Sequence, residues 1–490
     1  MKKFTKILLI GCLLVTVSCN NWLDVDPKSQ VKDKDLFASE MGFKEALSGV
    51  YSLMTKEALY GKELTFGWLG VLGQEWTSVP YNYEDDQKYD FENAASEVRI
   101  DSVWTGLYNA IANANKLLKE LEGKENLFSG DNYSIIKGEV LALRAYLHFD
   151  LLRIFGASCA VGMERIAIPY VTEYAPTIFP QEKVGDFVGK VLKDLQDAAK
   201  CLENDPILTG RTVSEIDDNG YLMNRQVHLN YYAVKGLMAR VYLYKGDYAN
   251  AEVCAKEVIG SGCFEWVKQE NLTNESVADL TFSTEHLFAL NIVTLGNIVD
   301  KYLDGGNNSF ALEESRLSEY YGSSYDYRYL YLFKTGVGMS NTLRYLKKYD
   351  QLESVSWAQS YRNKLPLICL PEMYYILAEC RYHSSGDVLE PLNEVCRHRG
   401  VADLSEADLS AFETLLLAEY RKEVIGGGQL FFQYKRLNRS VVPGTDVDLA
   451  GEGRYVIPMP KEVAGLIKLQ IKGGAANPSL ALQTSKSHQQ

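Results

Sequence analysis

Read for its hydrophobic period, the chain is most regular over residues 228–260. Ala233, Leu237, Val241 and Tyr244 recur at steps of four, four and three, which lays them along one side of a helix. Gly246 and Asp247 interrupt the pattern. A second helix follows, with Ala251, Cys254, Ala255 and Val258 on one face, ending at Gly260 in a left-handed cap that costs glycine little. Ala239 and Ala251 are small enough to let the two helices approach closely. The spacing is that of a tetratricopeptide-type pair, and since a lone pair cannot bury its own apolar face, it predicts neighbours of similar build.

The same period recurs along the chain. Phe43, Leu47, Val50, Tyr51 and Met54 mark a helix capped by Ser39, and Trp104, Leu107, Tyr108, Ile111, Asn115 and Leu118 mark one that begins near Asp101. Val140, Leu143, Leu147, Leu151 and Ile154 make a third, and Val184, Phe187, Val191 and Leu195 a fourth. Further helices are predicted over 371–382, from the turn at 384–387 to Gly400, over 409–425 and over 429–437. Residues 73–97 lose the period, and 261–365 is rich in Tyr, Gly, Asn and Ser with at most a short strand at 285–293. The expected fold class is mainly α, with tetratricopeptide-like helix pairs as a scaffold, a loop-rich ligand-binding face and few short strands. Long aperiodic stretches in a compact protein usually carry function.

At 490 residues the chain exceeds the size at which one core stops growing. Residues 1–18 combine Lys2, Lys3 and Lys6 with an apolar run from Ile7 to Val17, which reads as an export signal. Small residues before Cys19 resemble a lipoprotein signal, in which cleavage leaves Cys19 as the diacylated N-terminus. The polar, acidic stretch from Cys19 to Pro27 then reads as a tether. Removing the signal takes three lysines and no acids from a formal charge of −13, leaving about −16, which argues against nucleic acid. The seven cysteines beyond Cys19 are odd in number and show no metal-knuckle spacing, so they read mostly as buried small hydrophobes.

No nucleophile elbow, phosphate loop, dinucleotide fingerprint or zinc-protease helix is present, and no cofactor or metal is expected. Arg144 and His148, one turn apart, read as satisfied structural groups. The run Glu84-Asp85-Asp86 reads as a solvated face. The 32 tyrosines against 18 phenylalanines are more informative, because tyrosine offers an apolar face and a wet hydroxyl suited to hydrated ligands. Trp76, Tyr81 and Tyr83 sit in an aperiodic polar loop with no helical stripe to explain them, so they are candidate ligand-binding residues, with Trp357 as a fourth. The 295–330 loops are the alternative location if Trp76 belongs to the core.

Five passages together resemble the SusD/RagB family of outer-membrane lipoproteins from Bacteroidetes, over nearly the whole mature chain. They are W-x-x-L-Y-x-x-I-x-x-A-N at 104–115, R-A-x-x-x-F-x-L-x-x-x-F-G at 144–156 with I-P-Y at 168–170, A-R-V-Y-L-Y-x-G-D-Y-x-x-A at 239–251, E-M-Y-x-I-x-A-E at 372–379, and I-P-x-P at 457–460. Gly426-Gly427-Gly428 departs from the usual E-G, and 433–436 from D-L-K-R. The resemblance implies a signal over 1–18 and one integrated unit made of an N-terminal region, 19–220, and a C-terminal region, 221–490. It implies four helix pairs as a rigid back. It also implies a nonenzymatic, lipid-anchored protein of the outer membrane, facing outward, that binds an oligosaccharide or polysaccharide and partners a SusC-like TonB-dependent transporter. A peptide ligand on the same scaffold, and a hydrolase, are the alternatives.

Overall fold

The computed structural model describes residues 34–473 apart from 275–276, 307, 337–341 and 352–360. Helix α1, Glu40–Met54, starts where the Ser39 side chain accepts from the Gly42 amide, and it buries Phe43, Leu47, Val50 and Met54. Helix α2 is Ala94–Leu121, longer than its apolar stripe suggests. Asn93, not Asp101, caps it by accepting from the Ser96 amide at 2.9 Å, and the added turns bury Ser96, Arg99 and Ile100. Helix α3, Asn132–Phe155, is buried on every side from Gly138 onward, as expected of a helix at the centre of a layered stack.

An antiparallel pair, β1 (Ile166–Pro169) and β2 (Gln181–Lys183), leads into α4, Val184–Cys201. The hairpin read from the sequence is α5, Tyr231–Lys245, and α6, Tyr248–Ile259. Its left-handed residue is Gly246, at φ 81°, while Gly260 is right-handed at φ −74°. The tight reversal between two antiparallel helices is where the positive φ is needed. Farther on, α8 (Leu370–Ser384) and α9 (Leu389–His398) form another pair, followed by α10, Phe412–Val424, and α11, Leu430–Arg436. The order of packing runs α2, α3, α4, α5, α6, α8, α9, each against the next, so the pairs build one continuous array.

Buried ion pairs tie neighbouring helices together. Arg144 on α3 grips Asp194 on α4 through two bonds of 2.7 Å, and Arg240 on α5 grips Glu372 on α8 through two of 2.6 Å. Removing either partner would strand a buried charge.

The 261–365 region holds more regular structure than its composition suggests. Strand β3, His286–Asn291, pairs antiparallel with β7, Lys364–Cys369. A second sheet places β6 (Leu343–Leu346) between β4 (Leu312–Glu313) and β5 (Phe333–Thr335), and helix α7 spans Leu295–Tyr302. A single buried cluster runs from Phe37 to Ile457, and a smaller one joins Tyr375 and Leu392 to Phe412 and Tyr420.

Candidate functional site

The segment that carries Trp76, Tyr81 and Tyr83 is fixed by a distant part of the chain. Ser78 bridges Ala311 through the backbone, and the Thr77 amide donates to the Ala311 carbonyl at 3.0 Å. Next to that bridge the Phe310 ring meets four others, Trp76 at 6.0 Å, Tyr83 at 5.1 Å, Phe66 at 5.9 Å and Tyr302 at 6.4 Å.

Two of the predicted ligand rings therefore belong to the core. Trp76 is 2 % exposed, and its Nε1 donates to the Phe66 carbonyl at 2.7 Å. Even Gly70 is dictated by it, since a Cβ there would lie 2.7 Å from that nitrogen. Tyr83 is 1 % exposed, with its hydroxyl on Glu63 at 2.8 Å and the Arg99 guanidinium 3.9 Å above its ring. An aperiodic sequence hides such burial, because the partners come from elsewhere in the chain. Trp357 and Cys19 lie outside the described residues.

Tyr81 is different. The turn Tyr81–Tyr83 points Tyr83 inward and leaves Tyr81 85 % exposed, the largest exposure of any tyrosine among the described residues. It stands at the rim of a depression of about 400 Å³ lined also by Asn82, Lys62, Lys301, Tyr302 and Asn308. The predicted alternative region, 295–330, thus meets the 76–83 loop here. Sequence reading singled out none of Lys62, Asn82, Lys301, Tyr302 or Asn308, and only the polar composition of both loops hinted at them.

The floor is held by charge. Lys62 Nζ lies 2.9 Å from Glu63 Oε1 and 4.6 Å over the Tyr302 ring, and Lys301 Nζ sits 4.6 Å from the same ring. The Tyr302 hydroxyl donates to Glu57 at 2.8 Å. Each lysine at the depression is therefore matched by a carboxylate of the same chain, Glu63 or Glu57. What faces solvent is a neutral mix of hydroxyl, amide, ammonium and ring, suited to a polyhydroxylated ligand.

Beneath the turn, Asp86 is buried, not part of a solvated face with the exposed Glu84 and Asp85. It accepts from Trp68 Nε1 and Ser96 Oγ at 2.9 Å each and pairs with Arg99. Burial pushes its carboxyl up to about 6 against the pull of Arg99. Arg99 Nη2 also donates to the Asn82 carbonyl at 3.2 Å, so this buried network sets the height of the turn.

Arg144 and His148 are structural. His148 Nε2 accepts from the Val171 amide at 2.9 Å and its Nδ1 meets the Arg144 carbonyl at 2.8 Å, which requires the neutral ring. Burial lowers its pKa to about 3. Of the seven cysteines, all free, Cys254, Cys380 and Cys396 are buried and Cys263 is exposed. Among the described residues no cluster of three or more His, Cys, Asp or Glu side chains could hold a metal, and no helix is long and apolar enough to cross a membrane.

Residues 21–243 match the SusD-like family described as starch-binding, associating with the outer membrane. The chain is 24 % identical over 269 residues to the SusD-like protein P38 of Formosa agariphila, a match covering 54 % of this chain and 47 % of that protein. The matched part is thus about half the length of that curated relative. Among solved structures, a SusD superfamily protein from Bacteroides thetaiotaomicron superposes with a TM-score of 0.70 at 21 % identity, over 87 % of this chain and 98 % of that one. Surface glycan-binding protein A from Bacteroides fluxus superposes with a TM-score of 0.65 at 17 % identity, over 87 % and 96 %. At these identities the structural likeness speaks for the fold.

Proposed function

Because the chain belongs to the SusD/RagB family, we propose that it is a surface lipoprotein that captures a glycan at the Tyr81 depression and passes it, unaltered, to a SusC-like TonB-dependent transporter. The observation that carries the binding reading is Tyr81 itself. Its ring is 85 % exposed and stands over a depression of paired charges and amides, so an apolar face and hydrogen-bonding groups converge on one spot. A pyranose stacks on such a face through its axial hydrogens, while Asn82, Asn308 and Lys62 are placed to meet its hydroxyls. The family's description as starch-binding at the outer membrane supports a carbohydrate ligand and that location.

Capture without chemistry fits what lines the depression. Among the described residues no carboxylate lines it, and the two that pair with its lining residues, Glu57 and Glu63, are engaged by Lys301, Lys62 and the tyrosine hydroxyls, so neither is poised as a general acid beside a free partner. Lipidation at Cys19 would hold the protein at the membrane while the tether from Cys19 to Pro27 lets it move over a transporter.

Native affinity electrophoresis against a panel of polysaccharides tests the reading. At least one glycan should retard the wild-type protein and retard Tyr81→Ala much less. Migration unchanged by every glycan, with retention on a peptide column instead, would overturn it in favour of a peptide ligand.

A further inference from the structure

The Tyr81 depression is bounded on one side by Lys62 and Asn82, and these two residues also line a second depression of about 510 Å³. Its other walls include Ala58, Ala94, Val98 and Ser102, where the first turns of α2 reach the surface. Each depression alone falls within the 300–1,000 Å³ range typical of ligand clefts. They meet across Lys62 and Asn82, and the backbone carbonyl of the exposed Asn82 is held by Arg99. An apolar contact is available at each end. Tyr81 stands on the first depression, and Val98 is 65 % exposed at the second, a large exposure for a branched aliphatic side chain on a helix.

We infer that the two depressions form one extended cleft that takes a glycan of several sugar units lying across Asn82, with Tyr81 under one end and Val98 against the other. This rests on the glycan reading above and deepens it. Ring, amide saddle and aliphatic patch succeed one another along the surface, which suits a chain whose successive units present apolar faces and hydroxyl edges. A ligand of one or two units can use only one side. Affinity should therefore climb with chain length until both depressions are filled, and the second step of that climb should depend on Val98 and not on Tyr81 alone.

Titration calorimetry with malto-, cello-, xylo- and manno-oligosaccharides of two to eight units tests this. For the series that binds, long members should exceed short ones, and Val98→Arg, which places a bulky charged chain over the second depression, should remove on the order of tenfold of that gain while leaving short members as in wild type. Val98→Ser, which only trims methyl groups, should act in the same direction more weakly. Because Val98 is exposed on a 28-residue helix, both variants should melt with wild type. An affinity flat with length, or a Val98→Arg effect equal on short and long members, overturns the extended cleft while leaving the single-depression reading intact. Binding of no oligosaccharide in any series, and of no polysaccharide, removes the glycan reading and this inference with it.

Discussion

Glu75 Oε2 accepts a 2.7 Å hydrogen bond from the amide of Gly426, joining the start of the Trp76–Tyr83 loop to a glycine turn 351 residues later in the chain. The Glu75 side chain is fully buried, its Oε1 has no hydrogen-bond partner, and burial pushes its carboxyl up to about 8 from an ordinary 4.5. The group holds its proton in the folded protein at pH 7, whereas the unfolded chain would release it.

That difference makes stability depend on pH. A raised folded-state value means the folded protein binds the extra proton between about 4.5 and 8, so the contribution of Glu75 is present below 4.5 and is lost as pH rises through 8. Denaturant unfolding at pH 5 and pH 8 should show a larger loss of stability for wild type than for Glu75→Gln, which stays neutral. Equal losses in the two proteins would show that Glu75 is ionised in the fold.

Trp76 and Tyr81 should separate stability from binding. Trp76→Ala empties a core site and removes the donor to Phe66, which should cost about 3–5 kcal/mol of stability. Tyr81→Ala removes a ring that is 85 % exposed, so its melting temperature should match wild type while glycan affinity falls by about 2 kcal/mol or more. Tyr81→Phe should keep most of that affinity, since the stacking face remains. A Tyr81→Ala protein with unchanged affinity for a bound glycan would place the ligand elsewhere.

These two residues also mark how far the sequence can be read. The helices were legible because each carries its own apolar stripe: the α5–α6 hairpin, read as 228–260, spans residues 231–259, its start three residues late and its end within one. Tyr81 was legible as an aromatic in a polar loop. Trp76 and Tyr83 shared that signature but are buried, because Phe310, Phe66 and Glu63 reach them from outside the local pattern. The small sheet at 312–346 was missed for a related reason. Strands of two to four residues are too short to show an alternation, and only pairing with a distant partner makes them strands.

The triple glycine after α10 makes a further prediction. Gly428 has φ 67°, and a Cβ there would lie 2.6 Å from the Leu64 carbonyl and 2.9 Å from that of Thr65, backbone that cannot give way easily. Gly427 meets only the Val424 carbonyl, at 3.0 Å, without a positive φ. Gly428→Ala should therefore destabilise by more than the roughly 1–2 kcal/mol that a left-handed alanine costs by itself, and Gly427→Ala by less. Thermal melts of the two variants rank them, and the reverse order would refute the close approach of this turn to residues 64–65.

Cys19 carries the last prediction. No helix among the described residues is long and apolar enough to cross a membrane, so on the lipoprotein reading the acyl chains at Cys19 are the attachment. Two chains on one residue suffice for stable anchoring where a single one is marginal. Cys19→Ala should move the protein from the membrane pellet to the soluble fraction after a carbonate wash, and retention in the pellet would sink the lipoprotein reading. Transfer of ligand inward needs a second protein, because binding moves nothing across a membrane. A ligand enclosed by both proteins would favour the closed complex by its differential affinity for that state. A tagged copy of the lipidated protein, solubilised from native membranes in mild detergent, should therefore bring down a large β-barrel protein in similar amount, and more of it with a bound glycan present. Recovery of the tagged protein alone, under conditions that keep other outer-membrane complexes intact, would rule out the transporter partnership while leaving glycan capture at Tyr81 to stand on its own tests.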